Sequence, residues 1–265
     1  MIARRLLIAI ALGFLAVFLV VPLVTVFATA FRDGAGAYWA AITQPDSGSA
    51  IRLTLFVAVL AVPLNIGFGL AAAWAITRFQ FPGKRVLVAV IDLPFAVSPV
   101  IAGLMFVLLF GARGWIGPFF EAHHLKIIFA VPGIVLTTAF VTIPFVAREL
   151  IPALEARGPA QEIAALSLGA SPWQTFWRVT LVNLRWPLIY GAILCTARAV
   201  GEFGAVSVVS GHIRGKTDTV PLHVEVLYND FQYQAAFAVA TILVAIAAAT
   251  IVLKTIVEWH VRRSR

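Results

Sequence analysis

With 265 residues, 61% of them hydrophobic and 12% charged, the chain carries about half the charge of an ordinary soluble domain. A mean hydropathy of +0.96 and several apolar stretches long enough to cross a hydrocarbon core, which takes ~20 helical residues, identify a polytopic helical membrane protein. The formal charge of +8 needs no nucleic-acid partner, because membrane topology accounts for it, and a single cysteine, Cys195, rules out a disulfide framework or a cysteine-based metal site.

The first predicted span covers residues 6–27, behind Arg4 and Arg5. Ala28-Thr29-Ala30 resembles a signal-peptidase site, but the apolar run exceeds the core of a signal peptide, so it reads as a retained helix. Residues 31–50, with Asp33, Gly34, Gly36, Pro45 and Gly48, read as an exposed loop. The second span covers 53–76, and Arg78, Lys84 and Arg85 around Phe81-Pro82-Gly83 make a tight basic turn. The third span, 86–110, contains Pro94 and Pro99; residues 111–126 form a loop with Trp115, Gly117 and Pro118. The fourth span covers 127–147, with Pro132 and Pro144, and a polar stretch, 148–185, follows. A fifth span over 186–209, a polar loop over 210–234, a sixth span over 235–257 and a basic tail complete the chain. The prediction is all-α: six spans in a single transmembrane domain over 1–265, with no repeat visible.

The basic residues set the orientation. One set of segments holds thirteen: Arg4, Arg5, Arg78, Lys84, Arg85, Arg148, Arg157, Arg178, Arg185, Lys254, Arg262, Arg263 and Arg265. The opposite set holds six, Arg32, Arg52, Arg113, Lys126, Arg214 and Lys216, and the intramembrane Arg198 completes the twenty. The excess of positive charge predicts that both termini and the 148–185 stretch are cytoplasmic.

Within that stretch, residues 161–185 are polar yet helical in pattern. Ile163, Leu166 and Ala170 recur at i, i+3 and i+7, a stripe able to lie against another surface. Gly169 ends the first helix, and Ser171, Pro172 and Gln174 restart the chain as a capping box with proline at the first position. Two short helices at a glycine elbow make either a docking knob or an amphipathic linker on the membrane surface.

The knob resembles the loop of bacterial ABC importer permeases, whose pattern is E-A-A, three residues, Gly, nine residues, then I-x-L-P. Ala164, Ala165 and Gly169 fit the spacing, and Val179 and Leu181 take the I-x-L positions. Ile163 occupies the glutamate position, with Glu162 one residue earlier, and Val182 replaces the proline. The stretches 197–215 (ARAVGEFGAVSVVSGHIRG) and 92–104 (DLPFAVSPVIAGL) are similar to the CysW-type sulfate permease subunits. The resemblance implies the type I importer permease fold and transport of sulfate or thiosulfate across a bacterial inner membrane. It further implies a second permease of CysT type, a homodimeric ABC ATPase, a periplasmic sulfate-binding protein, and a coupling role for Glu162, Ala164, Ala165, Gly169 and Ser171. Catalysis belongs to the ATPase, and no cofactor or metal is implied for this chain. A molybdate or tungstate permease is the alternative within the class; a secondary anion transporter or channel is the alternative outside it.

Read as residues alone, the spans offer further sites. Arg198 and Glu202 stand at i, i+4 near mid-membrane, where charge is expensive unless paired or facing a polar cavity. They are either a structural ion pair or an arginine that shapes an anion path with its charge balanced. Pro94 and Pro99 break the third span, so Ser98 and Pro99 either line a path or reflect the ordinary use of proline in membrane helices. Asp92, near the cytoplasmic end, is not expected to contact an anion. His212, Arg214 and Lys216, beside Asp218, form a solvated loop or a docking surface for the binding protein. Leu222, Val226, Phe231 and Tyr233 suggest that this loop packs or re-enters the membrane edge. His123 and His124 are adjacent and point apart on a helix. Residues 210–217 end like a P-loop but lack its first glycine and its preceding strand, so they are no nucleotide site. No intramembrane His/Asp/Ser constellation supporting an enzyme is evident.

Overall fold

The computed structural model describes residues 2–263, so Arg265, counted with the basic tail, lies outside the described residues. It is helical throughout, with no strand among those residues. α1 (Ile2–Leu15) and α2 (Val21–Ala30) are joined by a π-helical turn into one span whose apolar side chains face outward. α2 packs against the last helix.

Residues 31–50 are not an exposed loop. α3 (Gly34–Thr43) folds there, and α4 (Pro45–Arg78) begins eight residues before the predicted second span, at Pro45 instead of 53. The apolar Ala-Tyr-Trp-Ala-Ala-Ile run can bury one helical face, and Pro45 suits a first helical position. Ala41, Ser47 and Ala50 are buried as a result.

The third span is split into α5 (Lys84–Ala96) and α6 (Pro99–Phe110), which meet at 112°. Ser98 precedes proline and is therefore pushed to an extended backbone, ψ 136°, and the chain restarts with Pro99 at the first helical position. α7 (Gly117–Ala122) is a short helix in the following loop. α8 (Val131–Arg157) starts later than predicted and runs ten residues past 147. Residues 127–130 instead form a bend in which the Phe129 N–H donates to the Val209 carbonyl at 2.8 Å.

α4 and α8 form the centre of the bundle. A Cβ added at Gly69 would stand 2.8 Å from Val146, so the two helices touch backbone to side chain there. Asn65 fastens three helices: its amide donates to Thr142 Oγ1 at 2.6 Å and to the Ala139 carbonyl at 3.1 Å, and reaches Cys195 Sγ at 3.6 Å. In an apolar span each such group must find its partner inside the protein.

The knob comprises α9 (Ala160–Ser167), an elbow at Gly169 with φ +88°, and α10 (Pro172–Thr175). The capping box is present, with Gln174 N–H donating to Ser171 Oγ at 3.2 Å and Ser171 N–H to Gln174 Oε1 at 2.9 Å. The second knob helix is not a separate short one. Through a π turn over Phe176–Thr180 it continues into α11 (Leu181–Val200), so the fifth span is one helix from Pro172 to Val200 rather than 186–209. α12 (Gly204–Ser210) and α13 (Val220–Asn229) follow, and α14 (Tyr233–Arg263) closes the bundle. Among the described residues, five helices are long and apolar enough to cross a membrane, and the bent α5–α6 pair makes a sixth crossing if taken together.

Candidate functional site

Two breaks in the bundle touch each other. One separates α5 from α6 at Val97–Ser98, the other α11 from α12 at Gly201–Phe203. A Cβ at Gly204 would come within 3.0 Å of Pro99 Cβ, and one at Gly103 within 2.6 Å of the Ala205 carbonyl oxygen, so glycine is required for this approach. Ala102, Val141 and Ala205 seal the junction as one buried cluster with Val97 and Phe140. Just before the second break, Ala199 and Val200 pack with Ala58, Val62, Leu243 and Ile246, near the middles of α4 and α14. Non-helical backbone at that depth is tolerated where it is buried in protein or lines a water-filled cavity.

The charges sit at these breaks. Arg198 Nη1 lies 2.6 Å from Glu202 Oε2, with the arginine side chain 33% exposed and the glutamate 1%. The sequence placed both on one helical face; in fact the helix stops at Val200 and Glu202 belongs to the break. Its Oε1 accepts the Ala205 N–H at 2.9 Å, so one carboxylate balances the guanidinium and ties α11 to α12. A guanidinium has five donors in a planar fork, and the single contact to Glu202 leaves the rest for another acceptor. Ser98, exposed at the start of α6, makes no side-chain cap bond, and Pro99 beside it is half-buried. Asp92, given no role by sequence, is held by Arg148, whose Nε donates to its Oδ1 at 2.8 Å.

At one end of the bundle the knob is braced rather than hinged. Glu162 accepts from Arg78 Nε at 2.6 Å and from the Thr180 hydroxyl at 2.8 Å, and Arg78 also donates to the Gly158 carbonyl at 3.1 Å. The Arg78–Glu162 pair thus joins α4, the end of α8, α9 and the π turn within this chain. Beyond the brace, Ile163, Leu166, Leu168 and Trp173 protrude, Leu168 89% and Trp173 69% exposed. Ala164 and Gly169 are exposed, Ala165 half-buried, and nothing lies within 4 Å of a Cβ built on Gly169. Ser171 is engaged in its cap.

At the opposite end, His212, Arg214 and Lys216 are exposed and Arg214 pairs with Asp230. The 210–234 segment is not simply a loop: α13 packs into it through Val220, Leu222 and Leu227. Asp218 does not join the basic cluster but turns inward. Its Oδ2 lies 3.2 Å from His223 Nδ1, while His223 Nε2 lies 3.1 Å from Ser47 Oγ. A Ser/His/Asp row therefore exists where the sequence suggested none. All three residues are buried, and the Ser47 hydroxyl also donates to the Ala41 carbonyl at 2.8 Å. With no access from solvent the row works as a staple between α4 and α13. No short-range pattern joins Ser47 to His223 across 176 residues.

Residues 65–265 match the family model described as binding-protein-dependent transport system inner membrane component. The sulfate transport system permease protein CysW of Synechocystis sp. is 53% identical over 255 residues, covering 96% of this chain and 92% of that protein. The CysW of Escherichia coli K12 is 48% identical over 242 residues, covering 91% and 83%. Among solved structures, a bacterial alginate ABC transporter in complex with an alginate pentasaccharide-bound periplasmic protein has a chain of the same fold, TM-score 0.78 at 16% identity, covering 98% of this chain and 94% of that one.

Proposed function

The chain belongs to the binding-protein-dependent transport system inner membrane components, and on that footing we propose that it is one permease half of an ATP-driven importer for sulfate or thiosulfate. The CysW relatives support the substrate. The observation that carries the mechanism is an arginine fork, charge-balanced by Glu202, beside two touching helix breaks at mid-depth. An oxyanion there meets donors and dipoles. The neutralising carboxylate keeps the site from becoming a trap, since passage needs binding weak enough for release.

In this reading the single permease domain lies in the bacterial inner membrane with both termini cytoplasmic, as the basic residues direct. The knob docks in a groove of a homodimeric ATPase through Ile163, Leu166, Leu168 and Trp173, with Ala164, Ala165 and Gly169 allowing close approach. Arg78 and Glu162 make it a rigid lever, so ATP-driven closure of the ATPase pair is passed to α4, α8 and α11 and alternates access between two packings. A CysT-type permease completes the path, and a periplasmic sulfate-binding protein docks on the His212, Arg214 and Lys216 face.

The test is sulfate-stimulated ATP hydrolysis by the purified assembly, with and without Gly169→Leu. Stimulation should collapse in the variant, because leucine is strained at φ +88° and fills the open space at the elbow. Unchanged stimulation would reduce the knob to a linker. Stimulation by molybdate but not sulfate would keep the mechanism and change the substrate.

A further inference from the structure

We propose that Arg148 is a second anion station, on the cytoplasmic side of the paired breaks, and that sulfate leaves the Arg198 site by way of it. The inference rests on reading the breaks as the anion path. On α8, Val141, Phe145 and Arg148 stand at i, i+4 and i+7 and form one stripe along the helix. Val141 belongs to the buried cluster at the breaks, with Ala102 and Ala205. Phe145 packs on Phe95, ring centroids 5.3 Å apart, and the Arg148 guanidinium lies 4.6 Å over the same Phe95 ring. The stripe therefore starts at the breaks and ends at Arg148, seven residues or about 10 Å toward the cytoplasm. On α5, Asp92 is eight residues, about 12 Å, inside Lys84, so the pair is set back from the end of its helix.

Arg148 repeats the chemistry of Arg198. Each arginine is held by one carboxylate at 2.6–2.8 Å, and each is more open than its partner: 33% against 1% at the breaks, 55% against 37% here. The group offered outward is the cation, and the carboxylate limits how tightly an anion can be held. Arg78, paired with Glu162, differs: both side chains are mostly covered and the guanidinium also bonds backbone carbonyls, which makes it a brace. Exposed charge set inside a membrane helix calls for a water-filled surface rather than lipid.

The test uses the whole assembly in proteoliposomes with radiolabelled sulfate. Arg148→Gln should slow uptake about tenfold, the worth of one charge-assisted hydrogen bond to the anion, and Arg148→Lys should retain most of it. The exchange pair Asp92→Arg with Arg148→Asp rebuilds the α5–α8 link but moves the cation to the other helix, and its uptake should stay low. Full uptake by Arg148→Gln or by the exchange pair overturns the proposal and leaves a staple between helices. If Arg148→Gln does not assemble, two cysteines decide. Ala96→Cys, one turn from Asp92 on the same face, should react with an impermeant anionic thiol reagent and be slowed by excess sulfate, whereas Val90→Cys on the opposite face should not react. Equal behaviour of the two overturns the proposal. A wild-type assembly that moves no sulfate instead overturns the underlying reading of the path.

Discussion

Arg198 and Glu202 differ most in what each leaves behind when its partner is removed. Arg198→Gln strands a carboxylate that is 99% covered, whereas Glu202→Gln strands a guanidinium already one-third open and can keep the Ala205 N–H bond through its amide oxygen. Breaking a buried pair costs about 3–5 kcal/mol, less where solvent reaches one partner. Arg198→Gln should therefore cost about 3 kcal/mol and Glu202→Gln about half that, measured by denaturant titration in mixed micelles. Equal losses would mean that the carboxylate is not held by the arginine. At this scale the i, i+4 spacing was visible in the sequence, but its meaning changed. The helix ends between the two residues, so a pair expected along one face bridges two helices instead. The Ser47–His223–Asp218 staple was not visible, because Asp218 beside three basic residues looks like a solvated neighbour until the fold turns it inward.

Helix breaks and close approaches belong to the scale of the element. Gly103 and Gly67 are both membrane-helix glycines, yet a Cβ at Gly103 would meet the Ala205 carbonyl at 2.6 Å while one at Gly67 meets nothing within 4 Å. Gly103→Ala should push α6 from α12, cost about 1–3 kcal/mol and lower sulfate uptake, with Gly67→Ala neutral or slightly stabilising. Thermal aggregation and uptake of the two variants check this, and equal tolerance would show that the breaks do not need to touch. Ser98-Pro99 announced the first break in sequence through the restriction proline places on its predecessor. The second break carries no proline; it follows from Gly201 and Gly204 with a carboxylate between them, and its hydropathy reads as continuous span. The start of the fifth span is hidden for the converse reason. Gln174, Arg178, Asn183 and Arg185 make its first turns polar enough to resemble a surface helix, yet the helix runs from the membrane into the knob.

For the whole molecule, the distribution of basic residues predicts a direction that can be measured. In intact spheroplasts an impermeant thiol reagent should modify Lys216→Cys and leave Ser167→Cys untouched until the membrane is opened; the reverse order would invert the topology. Buried Cys195 should stay silent in both. Sequence by itself determined that the chain is a helical membrane protein, roughly where most of its crossings lie, and that a helical elbow with a capping box stands between the fourth and fifth, because hydropathy, glycine at an elbow and a capping box are local properties of the chain. Tertiary structure alone decided that the α5–α6 and α11–α12 breaks meet, that Glu162 braces Arg78, that Arg148 stands on the stripe leading from the breaks, and that Ser47 lies against His223. Each of these joins residues far apart in the chain through the packing of α4, α8 and α11, and side-chain spacing within one helix carries no record of which neighbour it will face.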